Sequence, residues 1–213
     1  MAEIILFFII IGSIGFDLLI GDPTFIIHPV QIIGFYIKKV TNILINNFGK
    51  NKKILFWGGL FITLSTVSIS FSLGKIIELN YFQSRNNIFS GILIFLGVSS
   101  CIASKSLISS VKEISKLIER KKINEENMKI IRAKVQKILS RDVSSSSIKH
   151  LLRSSTESLT ENSVDGIFGP LFWIFIGALL VKFSIFLPGP LSLGFSYKAI
   201  STLDSMIGYK FNY

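Results

Sequence analysis

The chain has 213 residues, of which 49% are hydrophobic and 19 are Phe, and its mean hydropathy is +0.57. That is too apolar for an ordinary soluble domain, and the apolar residues come in blocks. The formal net charge of +10 does not point to nucleic acid, because the basic residues cluster beside those blocks, as in loops kept on the cytoplasmic side of a membrane.

Crossing a bilayer takes about 20 apolar residues. The first block, 4–20, is apolar except for Asp17. No basic stretch precedes it, and Gly21-Asp22-Pro23 follows in place of a small-residue cleavage site, so it reads as a retained helix and not a signal peptide. The loop 21–53 carries Lys38, Lys39, Lys50, Lys52 and Lys53 and is expected on the cytoplasmic side. The second block, 54–79, is long enough to span. A short external loop, 80–87, leads to the third block, 88–103, the shortest of the four.

Residues 104–166 are polar, basic and helical in pattern, and form a cytoplasmic layer of three predicted helices. The first, 104–122, places Leu107, Val111, Ile114 and Ile118 on one face. The second, 125–139, starts after Asn124 as N-cap. The third is capped by Asp142 or the run 144–147 and reaches about Asp165. The fourth apolar block, 167–187, contains Lys182. Pro188-Gly189-Pro190 is a turn signal, after which 191–208 is fairly apolar again. A helical hairpin is expected there, with Lys198 and Asp204 in a polar cleft at membrane depth, where ionisable groups are costly and mark function. The fold class is therefore all-α: a polytopic integral membrane helical bundle forming a single domain over 1–213, with a helical cytoplasmic segment. The lone Cys101 supports neither a disulfide framework nor a cysteine metal site.

Four motifs carry candidate chemistry. The first runs from Asp17 through Asp22 and Pro23 to His28-Pro29-Val30 and Gly34. Its bland reading is a cap, a turn and a helix restart at Pro23. Its functional reading uses the carboxylates to hold Mg²⁺ through a nucleotide phosphate and His28 to take a proton from an amine. The second is Arg141-Asp142, by itself a surface pair or a cap. The third spans Arg153 to Trp173. Glu157, Glu161 and Asp165 stand at i, i+4 and i+8, so a helix carries them on one face. Like charges so spaced repel by about 0.2–0.5 kcal/mol per pair, which calls for a cation, a metal or a basic partner; a solvated face with Arg153 paired to Glu157 is the bland alternative. Asn162, Gly166 and Pro170 accompany them. The fourth is Tyr197-Lys198 with Asp204 and Tyr209-Lys210. An interfacial helix with snorkelling lysines explains much of it, but not Asp204. There is no GxxxxGK[ST] loop, GxGxxG turn or HExxH helix.

Taken together, DLLIGDP at 17–23, HPVQIIG at 28–34, SRD at 140–142, ESLTENSVDGIFGPLFW at 157–173 and YKAISTLDSMIGYK at 197–210 resemble the adenosylcobinamide-phosphate synthases of cobalamin biosynthesis, the CobD/CbiB family, over essentially the whole chain. The resemblance implies an ATP-dependent amide ligation. Adenosylcobyric acid would supply the carboxylate, and (R)-1-amino-2-propanol O-phosphate or a related amino-alcohol phosphate the amine, to give adenosylcobinamide phosphate. It further implies catalytic roles for Asp22, His28, Glu157, Glu161 and Asp165, with Asp22, Glu161 and Asp165 as the Mg²⁺ ligands. Arg141, Asp142, Arg153, Asn162, Lys198, Asp204 and Lys210 would bind the substrates, the basic ones through phosphate. The lipid bilayer and other corrinoid-pathway enzymes are the expected partners, and the inner cell membrane, with polar motifs facing the cytoplasm, the expected location. Family members continue into a further acidic and arginine-bearing stretch and more membrane segments, whereas this chain stops at Tyr213. A fragment or a split or truncated chain is therefore expected, inactive alone if that stretch supplies catalytic contacts. A small membrane transporter using Asp17, Asp22, Asp204 and Lys198 at broken helices is the alternative function, and an assembly subunit a third.

Overall fold

The computed structural model of the protein describes residues 2–21, 29–48, 51–83, 88–118, 125–136 and 146–207. Every element among them is helical. Helix α1 (Ala2–Leu19) is followed by α2 (Pro29–Phe48), whose proline holds the first helical position, where a missing N–H costs nothing. Then come α3 (Lys52–Gln83), α4 (Ile88–Cys101), α5 (Ser104–Ile118), α6 (Glu125–Gln136) and α7 (Ile148–Ser163). A π-helical turn, Val164–Phe168, joins α7 to α8 (Gly169–Val181), and α9 (Pro190–Ile207) closes the described chain.

Four helical runs among the described residues are long and apolar enough to cross a membrane: Ala2–Leu19, Lys52–Gln83, Ile88–Lys116 and Ile148–Val181. The protein is thus an all-α, multi-pass membrane bundle. Two of the runs differ in extent from the expectation. The 14 residues of α4 rise only about 21 Å at 1.5 Å each, short of a hydrocarbon core of about 30 Å, and the run continues into α5. The fourth run begins in the polar α7. The region 21–53, expected as a loop, contains α2. Ile33, Ile37, Val40 and Leu44 recur on one face of it and pack against Ile62 of α3 and Leu203 of α9.

The spanning helices are inside-out relative to a soluble core. In α3 the buried positions are Gly58, Ile62, Thr66, Ser70, Gly74 and Glu78, every fourth residue, and then Tyr81, while Phe56 is 67% and Phe61 59% exposed. Lipid is as apolar as any side chain, so small and polar residues face neighbouring helices and bulky apolar ones face outward. Helix α9 packs against α2, α3, α4 and α8. It runs antiparallel to α8: a carbon added at Gly177 would stand 2.3 Å from the Gly189 backbone, at Gly194 3.1 Å from Ile174, and at Gly169 2.1 Å from the Tyr197 oxygen. The start of α9 is capped from α3. The Glu78 carboxylate accepts the N–H groups of Gly189 (3.2 Å), Leu191 (2.7 Å) and Ser192 (3.0 Å), groups a helix start leaves without intrahelical partners.

Helices α5, α6 and α7 share a small core of Ile114, Ile131, Val135 and Leu151. Of the face predicted for α5, Ile114 is buried there, but Val111 is 40% exposed and Leu107 lines a polar cavity instead. A three-helix layer covers only the part of α5 that α6 and α7 reach. Ser147 holds the N-cap position of α7 with extended backbone and no side-chain cap bond. Asn124 and Asp142, the other predicted caps, and Pro23, the predicted helix restart, lie outside the described residues.

Candidate functional site

Between α5, the π-helical turn and α9 lies a cavity of about 480 Å³. Each helix contributes one face at helical spacing: Ser106, Leu107 and Ser110 at the start of α5, with Ala103 just before it; Leu159, Asn162, Asp165 and Gly166 from α7 and the π turn; Lys198, Ser201, Thr202 and Ser205 from α9. Val30 of α2 completes the wall.

Local folding places these faces. The chain breaks between α4 and α5 at Ile102 and Ala103, and two acceptors take the N–H groups exposed there. Asp17 Oδ2, at the end of α1, accepts Ser104 N–H at 2.8 Å, and the Gly166 carbonyl of the π turn accepts Ala103 N–H at 2.9 Å. The π turn is therefore pinned to the α4–α5 junction, and Asp165 sits beside the pinned residue. Single π turns within α-helices are frequent at functional sites.

The hydrogen bonds of the wall give it a chemical character. Ser110 Oγ donates to Ser106 O at 2.9 Å, Thr202 Oγ1 to Lys198 O at 2.7 Å, and Ser205 Oγ to Thr202 O at 2.9 Å. A carbonyl can only accept, so these three hydroxyls have committed their protons and offer lone pairs. Together with Asp165 they make acceptors for a cationic group. The Lys198 ammonium, the Asn162 amide N–H groups and the Ser106 and Ser201 hydroxyls are able to donate into the cavity.

Of the residues singled out in the sequence, Asn162, Asp165 and Lys198 come together in this cavity. Glu157 and Glu161 are exposed and do not line it. Glu157 accepts from Arg153 Nε at 3.2 Å, with the side chains 51% and 80% exposed respectively. An i, i+4, i+8 series drifts by roughly 40° per step on a helix of 3.6 residues per turn, so only its last member, Asp165, turns into the cavity. Asp204 is also exposed, one position before the cavity-lining Ser205. Asp22, His28, Arg141, Asp142 and Lys210 lie outside the described residues. In the sequence Tyr197 belongs to the expected interfacial helix and carries no site role. Its hydroxyl stands 3.3 Å from Asp165 Oδ1, and the signal available in the sequence was its place directly before Lys198.

Of the expected magnesium ligands, Asp165 lines the cavity and Glu161 does not. Among the described residues no three His, Cys, Asp or Glu side chains form a metal-holding group. A magnesium ion bound chiefly through nucleotide phosphates asks for only one or two protein carboxylates, and Asp165 fits that demand.

A bundle of membrane-crossing helices with one acidic, one basic and several hydroxyl groups around a cavity at a helix break defines a polytopic membrane protein with a polar cavity. Compared with known proteins, residues 10–213 match the model of the CobD/Cbib protein family. The chain belongs to this family of cobalamin biosynthesis proteins. It is 34% identical over 200 residues to "Cobalamin biosynthesis protein CobD" of Synechocystis sp., covering 93% of this chain and 55% of the relative. It is 41% identical over 212 residues to "Probable cobalamin biosynthesis protein CobD" of Methanocaldococcus jannaschii, covering 97% and 60%, and 34% identical to a CobD of Clostridium acetobutylicum, covering 94% and 57%. The chain thus spans a little over half the length of these relatives. No solved structure matches it significantly.

Proposed function

We propose that the cavity binds the amino-alcohol phosphate of an ATP-dependent amide ligation, in which adenosylcobyric acid and (R)-1-amino-2-propanol O-phosphate or a near relative yield adenosylcobinamide phosphate. The observation that carries the reading is the meeting of Asn162, Asp165 and Lys198, from two motifs far apart in sequence, in one polar cavity.

The division of labour follows from donors and acceptors. Asp165 and the hydroxyl oxygens of Ser110, Thr202 and Ser205 receive the amine end. Lys198 and Asn162 receive the phosphate, a charge-assisted contact. The amine must lose a proton before it attacks, and Asp165 or His28 takes it. ATP with Mg²⁺ would supply the activation of the propionate carboxylate, the metal being held chiefly through the nucleotide phosphates. The cavity volume falls within the range of about 300–1,000 Å³ that encloses drug-sized ligands. The corrinoid is larger, so it presents its propionate at the mouth while the small zwitterion lies inside. The basic flanks of the polar layer support a cytoplasmic position for the mouth. No observation favours the transporter reading, since Asp17, one of its path residues, is committed to the start of α5.

The test is turnover. Membranes carrying the chain are incubated with adenosylcobyric acid, aminopropanol phosphate, ATP and Mg²⁺, and adenosylcobinamide phosphate is measured by mass spectrometry. ATP-dependent product that falls at least tenfold in Lys198→Met sustains the reading. No product above that of membranes lacking the chain, with the chain supplied alone and together with the C-terminal part of a full-length CobD relative, sinks it.

A further inference from the structure

Tyr197 is not part of the cavity wall, yet it touches a residue that is. Its hydroxyl lies 3.3 Å from Asp165 Oδ1 and 3.5 Å from the Val164 carbonyl. Both partners can only accept, so the phenol is the donor. Both distances are long for O–H···O bonds, as befits one proton shared between two acceptors. The ring is fixed from behind. It lies against Gly169, the first residue of α8, so closely that a carbon added there would meet the phenol oxygen at 2.1 Å and the ring carbon bearing it at 2.2 Å. Only glycine leaves the room. Gly169 follows Asp165 by four residues, one helical turn, so the ring that rests on the first reaches the second. On α9 the next residue, Lys198, lines the cavity. Neighbouring residues of one helix thus hold the cavity's carboxylate and supply its cation.

We propose that Tyr197 is the positioning residue of the cavity: its hydroxyl engages one oxygen of Asp165 and holds the carboxylate in the wall, in the orientation that receives the amine end of the substrate. A carboxylate on a π turn has an unusual register, and an isolated Asp has two rotatable bonds; a donor from the facing helix removes that freedom before the ligand arrives. The identity of the ligand rests on the amide-ligation reading, whereas the Tyr197–Asp165 contact rests on geometry alone.

The test uses the full chain in lipid nanodiscs as wild type, Tyr197→Phe, Asp165→Asn and the double variant, with two readouts. Infrared difference spectra identify the Asp165 carboxylate band as the one lost in Asp165→Asn; that band is expected to shift in Tyr197→Phe. Equilibrium dialysis with O-phosphoethanolamine reads binding. Tyr197→Phe is expected to weaken it about tenfold, the scale of one hydrogen bond to a charged group, and the double variant to bind no more weakly than Asp165→Asn alone. A tyrosine that merely packs two helices would leave the band in place and give additive losses, and either result overturns the proposal. If the wild type fails to retain O-phosphoethanolamine, the ligation reading falls, and the infrared band by itself decides for or against Tyr197.

Discussion

Asp17 and Lys105 each complete the helix to which the other belongs. Asp17, near the end of α1, accepts the first N–H of α5 at 2.8 Å, while Lys105, the second residue of α5, donates to the carbonyl of Leu19, the last residue of α1, at 2.7 Å and to that of Ile20, just after it, at 2.8 Å. A carboxylate at a helix start and an ammonium at a helix end both follow the sense of the helix dipole. Gly21, with φ +71°, turns the chain out of α1 and packs against the Lys105 stem, so the exchange stands where the chain leaves for Asp22 and His28.

Asp17→Ala is expected to destabilise the protein by about 1–3 kcal/mol, the cost of leaving a buried N–H without its acceptor. Asp17→Asn keeps an acceptor oxygen and is expected to cost less than half as much. Unfolding in mixed detergent, followed by circular dichroism, measures both. Equal losses would show that the bond to Ser104 is not what the site contributes.

Glu78 does for α9 what Asp17 does for α5, with three backbone N–H groups in place of one. Lys75, one turn earlier, donates to the carbonyls of Ile185 and Leu187 in the same connection. Glu78→Ala therefore strands the buried N–H groups of Leu191 and Ser192 together, while Gly189 N–H keeps Ser192 Oγ at 2.9 Å, and a loss of about 3–5 kcal/mol is expected. The same unfolding assay reads it, and a loss below about 1 kcal/mol would contradict the capping role.

The two glycines of Asp165-Gly-Ile-Phe-Gly169 are expected to respond oppositely to alanine. At Gly166 the added carbon meets the Ala103 methyl at 3.5 Å, an ordinary contact, so Gly166→Ala should be neutral or stabilising by up to about 1 kcal/mol. At Gly169 it meets the Tyr197 oxygen at 2.1 Å, so the phenol must leave Asp165. Gly169→Ala should reproduce the infrared shift and the binding loss of Tyr197→Phe. A Gly169→Ala protein with wild-type binding would mean that the ring does not need this cradle.

Arg153 and Glu157 form an exposed i, i+4 pair. Such pairs are worth about 0.3–0.5 kcal/mol. Glu157→Gln is thus expected to change stability by no more than about 0.5 kcal/mol, and to leave O-phosphoethanolamine binding unchanged, because Glu157 does not line the cavity. A large binding loss would return the whole acidic stripe to the site.

Hydrophobic blocks, basic flanks and turn signals determined that this chain is a helical membrane bundle with a polar layer, because bilayer thickness and the cost of burying charge act on composition alone. Four motifs likewise sufficed to place the chain in its family. Which motif residues meet was decided by tertiary structure. Glu157, Glu161 and Asp165 look equivalent as text, but the drift of the helix and its pinning at Ala103 send only Asp165 inward. Asp17 reads as an intramembrane ionisable group, and only the arrival of the α5 start makes it a cap. The helix α2 hid in a lysine-bearing loop, because its narrow stripe of isoleucine, valine and leucine has meaning only against α3 and α9. Tyr197 looked interfacial until Gly169 gave its ring a place to lie. Composition selects the solvent of each segment; the choice of neighbour depends on close approaches between segments distant in sequence, which no local pattern encodes.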